Sequence, residues 1–198
     1  MEKEKFTKTA AVLSKIFQIL KGCAVAGIIV CAVMSLLVFI LGDKMVADTS
    51  MAIGPLSFQF VEGYMPEGMK LKLAINADLL AGAIYCLVMR LGLGYVKDLI
   101  DPLKEGPVFS PEMPKLLKKL AILTVVGGFV SGALKSAAEF VTANAFDLFS
   151  LIHNPAIAKV TYNFDIDMPG ILVGVLLYFL AWVFSYGAEL QKEADETL

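Results

Sequence analysis

The chain has 198 residues, 58% hydrophobic and 18% charged, with 17 Lys and Arg set against 19 Asp and Glu. A soluble domain of this size runs nearer half apolar and a quarter charged, so an ordinary soluble globule is excluded and an integral membrane protein with one helical domain is expected. The net charge of -2 excludes a global attraction to nucleic acid, and what matters is where the charges sit.

Residues 1–21 form a leader carrying Lys3, Lys5, Lys8, Lys15 and Lys21 ahead of the first apolar run. Ile16, Phe17, Ile19 and Leu20 predict an amphipathic interfacial helix that runs into the membrane. The first span covers residues 22–42, close to the ~20 residues that cross a hydrocarbon core. Its length, and Asp43-Lys44 beyond it, mark a retained helix rather than a cleaved signal peptide. In the first connection, Leu56–Phe60 alternates apolar and polar residues, as a strand with one buried face does. Gly54-Pro55 and Glu62-Gly63 on either side are turn signals.

The second span is predicted over 73–96, with Asp78 near its start and Arg90 inside. A loop follows over 97–115. Within it, Ser110-Pro111-Glu112 has the order of a helix start: hydroxyl cap, proline, acid. Pro114 permits an alternative start there. The third span covers 116–141, and the third connection contains Val160–Asp167, again with period two. The fourth span, 170–187, opens after Met168-Pro169 and leads to a charged tail, 188–198. Cys23, Cys31 and Cys86 all lie in apolar runs, which points to packing rather than to disulfides or metal ligation.

Lysine distribution sets the orientation. Five lysines precede the first span, and five (Lys97, Lys104, Lys115, Lys118, Lys119) lie in or beside the middle loop. The first connection holds three (Lys44, Lys70, Lys72) and the third holds Lys159 alone. Basic residues stay on the cytoplasmic side, so both termini and the middle loop are expected inside a bacterial inner membrane. The two strand-like stretches then share the outer face, where they could pair into a small β element. The fold class expected is all-α integral membrane, four spans with that extracellular element from the first and third connections.

Three groups of residues are candidates for function. Asp78, Lys135 and Glu139 lie near the outer ends of their spans and form either an outer polar cluster or a set of snorkelling side chains. Lys135 and Glu139 also stand one helical turn apart, the spacing of an ion pair. Gly128, Gly132 and Ser136 recur every four residues, with Gly127 and Ser131 beside them. Small residues at that spacing allow close helix approach, within the bundle or across a homodimer seam. On the cytoplasmic side, Lys115, Lys118 and Lys119 face the acids of the tail, Glu189, Glu193, Asp195 and Glu196. Opposite charges there predict a loose, salt-sensitive contact that a protein partner could displace; otherwise the lysines only set topology and bind anionic lipid. His153 stands alone in a loop. No phosphate-binding Gly-rich loop, HExxH or Ser/His/Asp set occurs. The sequence therefore predicts a non-enzymatic protein with no catalytic residue, cofactor or metal.

Phe109-Ser110-Pro111-Glu112, followed by Leu117-Lys118-Lys119-Leu120, resembles a PF(S/T)xEN…LrkI signature. Phe184-Ser185-Tyr186-Gly187-Ala188-Glu189-Leu190 and the residues to Leu198 resemble an iFxxGxxLqxExdxTI tail. With the four spans, these stretches are similar to a family of small bacterial membrane proteins that carries a domain-of-unknown-function label. Its members are often encoded beside a Cro/CI-type helix-turn-helix regulator. The chain departs from the pattern at Met113, where the signature has Asn, and at Val108, which separates Pro107 from Phe109. The resemblance implies a membrane partner or sensor for a cytoplasmic transcriptional regulator. The layout also fits an immunity-type protein that protects the membrane against a peptide toxin, or a small permease. Expected partners are the lipid bilayer, the helix-turn-helix regulator and a second copy of the chain, with no direct contact to nucleic acid.

Overall fold

A computed structural model of the protein describes residues 2–41, 50–53, 56–59, 68–104, 112–147 and 168–196. Four long helices dominate: α1 (Glu2–Leu41), α2 (Gly68–Ile100), α3 (Met113–Ala145) and α4 (Met168–Glu196). Each contains a stretch long and apolar enough to cross a membrane: Thr7–Leu41, Gly68–Ile100, Met113–Ala145 and Met168–Leu190. The protein is a multi-pass membrane protein. Its large apolar side chains are mostly on the outside, among them Ile29, Leu36, Phe39 and Ile40 of α1 and Leu172, Val175 and Phe179 of α4. In water such a surface would drive aggregation. In lipid it is the natural contact, because acyl chains are as apolar as the side chains themselves.

α1 is one helix of 40 residues, about 60 Å long at a rise of 1.5 Å per residue and roughly twice the hydrocarbon thickness of a bilayer. The leader expected to run into the membrane forms the first turns of this same helix, continuous with the first span, with Ala10 and Ser14 buried. α2 tightens at its end into a 3-10 turn, Asp101–Lys104. α3 begins at Met113, after the Leu116 amide has bonded the Glu112 carbonyl at 3.1 Å. Pro114 then occupies the second helical position, where an amide has no intrahelical acceptor to lose. That settles the alternative starts in favour of the later one; Ser110 and Pro111 lie outside the described residues. α3 ends as Asp147 turns into the left-handed region, at φ 50°. Its amide bonds the Asn144 carbonyl at 3.2 Å, and a short polar residue tolerates that conformation.

The first connection holds a hairpin, β1 (Ser50–Ile53) antiparallel to β2 (Leu56–Gln59), in a register that pairs Ser50 with Gln59 and Ile53 with Leu56. The strand expected over Leu56–Phe60 is thus present as β2, and its partner among the described residues is β1; the expected pairing with Val160–Asp167 falls outside the described residues. Closing a two-residue loop costs far less chain entropy than joining segments a hundred residues apart. The segment 160–167, like His153, lies outside the described residues.

The chain divides into two compact units, one of Met1–Gly27, Tyr85–Ser131 and Ile166–Leu198, the other of Ile28–Ile84 and Gly132–Asp165. In the first, glycine sets the helix spacing. A Cβ on Gly127 would lie 2.5 Å from Cγ1 of Val88, which fixes how closely α3 approaches α2. Gly174 does the same for α4 on α3, against Val125 and the Ala121 carbonyl. Cys86 fills the space beside Gly27 and is a free thiol. In the second unit, Leu71, Ala74, Ala143, Ala145 and Phe146 form a small core, with Ile75 and Val141 packed against it. Cys31 there lies beside Gly82.

Candidate functional site

In the first unit, the start of α3 and the middle of α4 enclose a groove of about 230 Å³. α3 contributes Pro114, Lys115 and Lys118, and α4 contributes Tyr178, Ala181, Trp182 and Ser185. Spacings of three and four residues put each set on one face of its helix. The Lys118 ammonium sits 5.2 Å above the centre of the Tyr178 ring, within the range where a ring face attracts a cation. Trp182 is 66% exposed and leans on Phe179, with ring centroids 6.3 Å apart and planes at 38°. Lys119, one residue further round α3, leaves this face and lines a shallower groove with Tyr95, Ile122, Leu123 and Val126. The lysine cluster therefore divides between two faces. Among the described residues, none of Lys115, Lys118 and Lys119 has a carboxylate partner.

The tail continues α4 as helix to Glu196, past the end of the apolar stretch at Leu190. Glu189, Glu193 and Glu196 are exposed and follow one another at helical spacing, so they share a face. Lys192 pairs with Glu196 at 3.6 Å, both side chains well exposed. The side chain of Asp195 lies outside the described residues.

In the second unit, Asp78 accepts a hydrogen bond of 3.4 Å from the Thr142 hydroxyl, whose shorter bond, 2.9 Å, goes to the Ala138 carbonyl. Lys135 and Glu139 form an ion pair at 3.8 Å. Lys135, Glu139 and Thr142 follow at one-turn spacings along α3, so Asp78 meets this polar stripe through Thr142. Ser136, of the small-residue series, is buried. α3 approaches α2 closely at Gly127, beside the main series.

Several polar contacts had no motif to announce them. The Ser14 hydroxyl donates to Oδ1 of Asp101 at 2.6 Å, and Lys97 donates to Oδ2 at 2.7 Å. The Ser35 hydroxyl bonds Oδ1 of Asn76, whose Nδ2 donates to the Lys72 carbonyl at 2.7 Å. Asn76 was visible as an amide in an apolar run, but nothing local names Ser35 as its partner. Nε of Arg90 and Oγ of Ser131 are buried with no hydrogen-bond partner among the described residues.

The groove and the acidic helix end both fall within residues 64–198, which match the family described as "Protein of unknown function (DUF2975)". The chain belongs to the DUF2975 family. The match takes in α2, α3 and α4 whole and both stretches that resemble the PF(S/T)xEN and tail signatures. No curated protein and no solved structure matches the chain. For this DUF2975 protein, function rests on the chemistry of its own surfaces.

Proposed function

We propose that this DUF2975 protein is a membrane-bound partner of a soluble, DNA-binding regulator, which it holds at the cytoplasmic surface. The observation that carries the reading is the helical extension of α4, with Glu189, Glu193 and Glu196 exposed on one face. A surface that binds DNA is basic, and an acidic helical stripe offers it a competing anion. The lysine distribution favours a cytoplasmic tail, and the family resemblance supplies a helix-turn-helix regulator as the expected neighbour. Exposed ion pairs contribute about 0–1 kcal/mol each. Three acids therefore make a reversible, salt-sensitive contact rather than a permanent complex, which suits a regulator that must be released.

The test uses the full-length protein in detergent together with a helix-turn-helix regulator encoded beside it, where the neighbouring genes include one. Co-purification at low salt should fall several-fold for the triple variant Glu189→Gln, Glu193→Gln, Glu196→Gln, and should fall likewise for the parent at high salt. Undiminished recovery of the regulator with the triple variant rules the reading out.

A further inference from the structure

The two lysines of the α3–α4 groove have no carboxylate partner among the described residues. Lys115 and Lys118 stand beside apolar and aromatic surface, with no carboxylate among the groove's lining residues. Every polar side chain that accompanies them is a hydrogen-bond donor: the Tyr178 and Ser185 hydroxyls and the Trp182 indole N–H. Two cations and three donors around one concavity suit an anion with several acceptor oxygens. Lys115 and Lys118 lie in the first two turns of α3, and lysine, Tyr and Trp together are the residues that anchor a helix at the headgroup level of a bilayer. The same helix faces continue as exposed hydrocarbon: Phe129 on α3 lies in line with Lys118, three turns further on, and Val175 on α4 lies in line with Trp182. A ligand with an anionic head and an apolar tail meets matching surface along its whole length.

We infer that this groove is a binding site for an anionic phospholipid, its phosphate held by Lys115 and Lys118 and its acyl chains laid along α3 and α4. The groove volume of about 230 Å³ falls below the ~300–1,000 Å³ of sites that enclose a drug-sized ligand. A headgroup with its chains left in the bilayer needs no such enclosure. Lys118, already stationed over the Tyr178 ring, loses less side-chain freedom on binding than a lysine extended into water. The inference is independent of any regulator, since it concerns a different surface from the acidic end of α4.

Trp182 is the single tryptophan of the chain, and it lines the groove, so its fluorescence reports the groove's occupant directly. The full-length protein is reconstituted into phosphatidylcholine vesicles that carry either brominated phosphatidylglycerol or brominated phosphatidylcholine as quencher. Each lysine near the surface favours anionic lipid roughly fivefold, so brominated phosphatidylglycerol should bind at Trp182 at least about threefold more strongly. The preference should vanish in Lys115→Gln/Lys118→Gln, return in Lys115→Arg/Lys118→Arg, and persist in Lys135→Gln, whose lysine is paired with Glu139. Equal quenching of the parent by the two lipids overturns the inference, and that comparison needs no variant to fold. A preference that survives the double Gln variant overturns it as well. So does a Trp182 that neither lipid quenches, because the groove is then covered by protein, as in a homodimer.

Discussion

Gly174 is the point at which α4 closes on α3, and adding one methyl there tests the packing of the first unit. A Cβ on Gly174 would overlap the Val125 side chain, and would lie 3.2 Å from the Ala121 carbonyl oxygen and 3.4 Å from the Val125 amide nitrogen. A valine side chain can rotate away; the backbone atoms of a helix cannot. Overpacking of this kind costs about 1–3 kcal/mol, while exchanging Gly for Ala in a helix gains at most about 1 kcal/mol. Gly174→Ala should therefore lose about 1–2 kcal/mol net. Gly22 is the control, since nothing lies within 4 Å of its added methyl, and Gly22→Ala should be neutral or stabilising. Both are measured by titrating SDS into the protein in mild detergent and following Trp182, two turns further along α4. Val125→Ala in the Gly174→Ala background should recover part of the loss, a coupling of about 0.5–3 kcal/mol between touching residues. If Gly174→Ala is as stable as Gly22→Ala, α4 does not close on α3 at this glycine and the argument fails.

Three further outcomes are expected. Ser14 is buried and donates to the Asp101 carboxylate, so Ser14→Ala should cost about 1–2 kcal/mol; Lys97→Ala, which breaks a partly exposed i,i+4 pair with the same carboxylate, should cost less, because solvent screens that pair. The reverse order in a detergent melt would remove Ser14 as the anchor of that contact. A cycle of Ser35→Ala and Asn76→Leu should show a coupling of about 0.6 kcal/mol, the usual worth of a hydrogen bond between membrane helices; additive losses would mean that the two side chains do not meet. In a background without the three native cysteines, a cysteine introduced at Ser50 should react with an impermeant thiol reagent in intact cells, and one at Ser110 should not. Labelling at Ser110 from outside would invert the topology and with it the placement of the acidic tail.

What could be read along the chain was whatever depends on a property of one segment. Four apolar runs of about 20 residues identify four spans because the bilayer's thickness is the same for each, and the alternation of Leu56–Gln59 marks a strand because its period is local. The acids Glu189, Glu193 and Glu196 and the lysines of early α3 were visible for the same reason. Partners were a different matter. Among the described residues β2 pairs with β1, a partner that the alternation in Leu56–Phe60 does not name. A lipid-facing helix is apolar all round, so it lacks the polar stripe that tells a soluble helix which side to bury. Hence only the tertiary structure decides that Gly127 receives Val88: Gly127 and Gly128 differ by about 100° around the axis, but the sequence offers the same residue at both. The same holds for Ser14 and Asp101, 87 positions apart in the chain, and for the convergence of Lys115 and Lys118 with Tyr178 and Trp182. Each residue type was legible where it stood. Its neighbour across the helix interface was set by close packing of small residues, a property of two surfaces together.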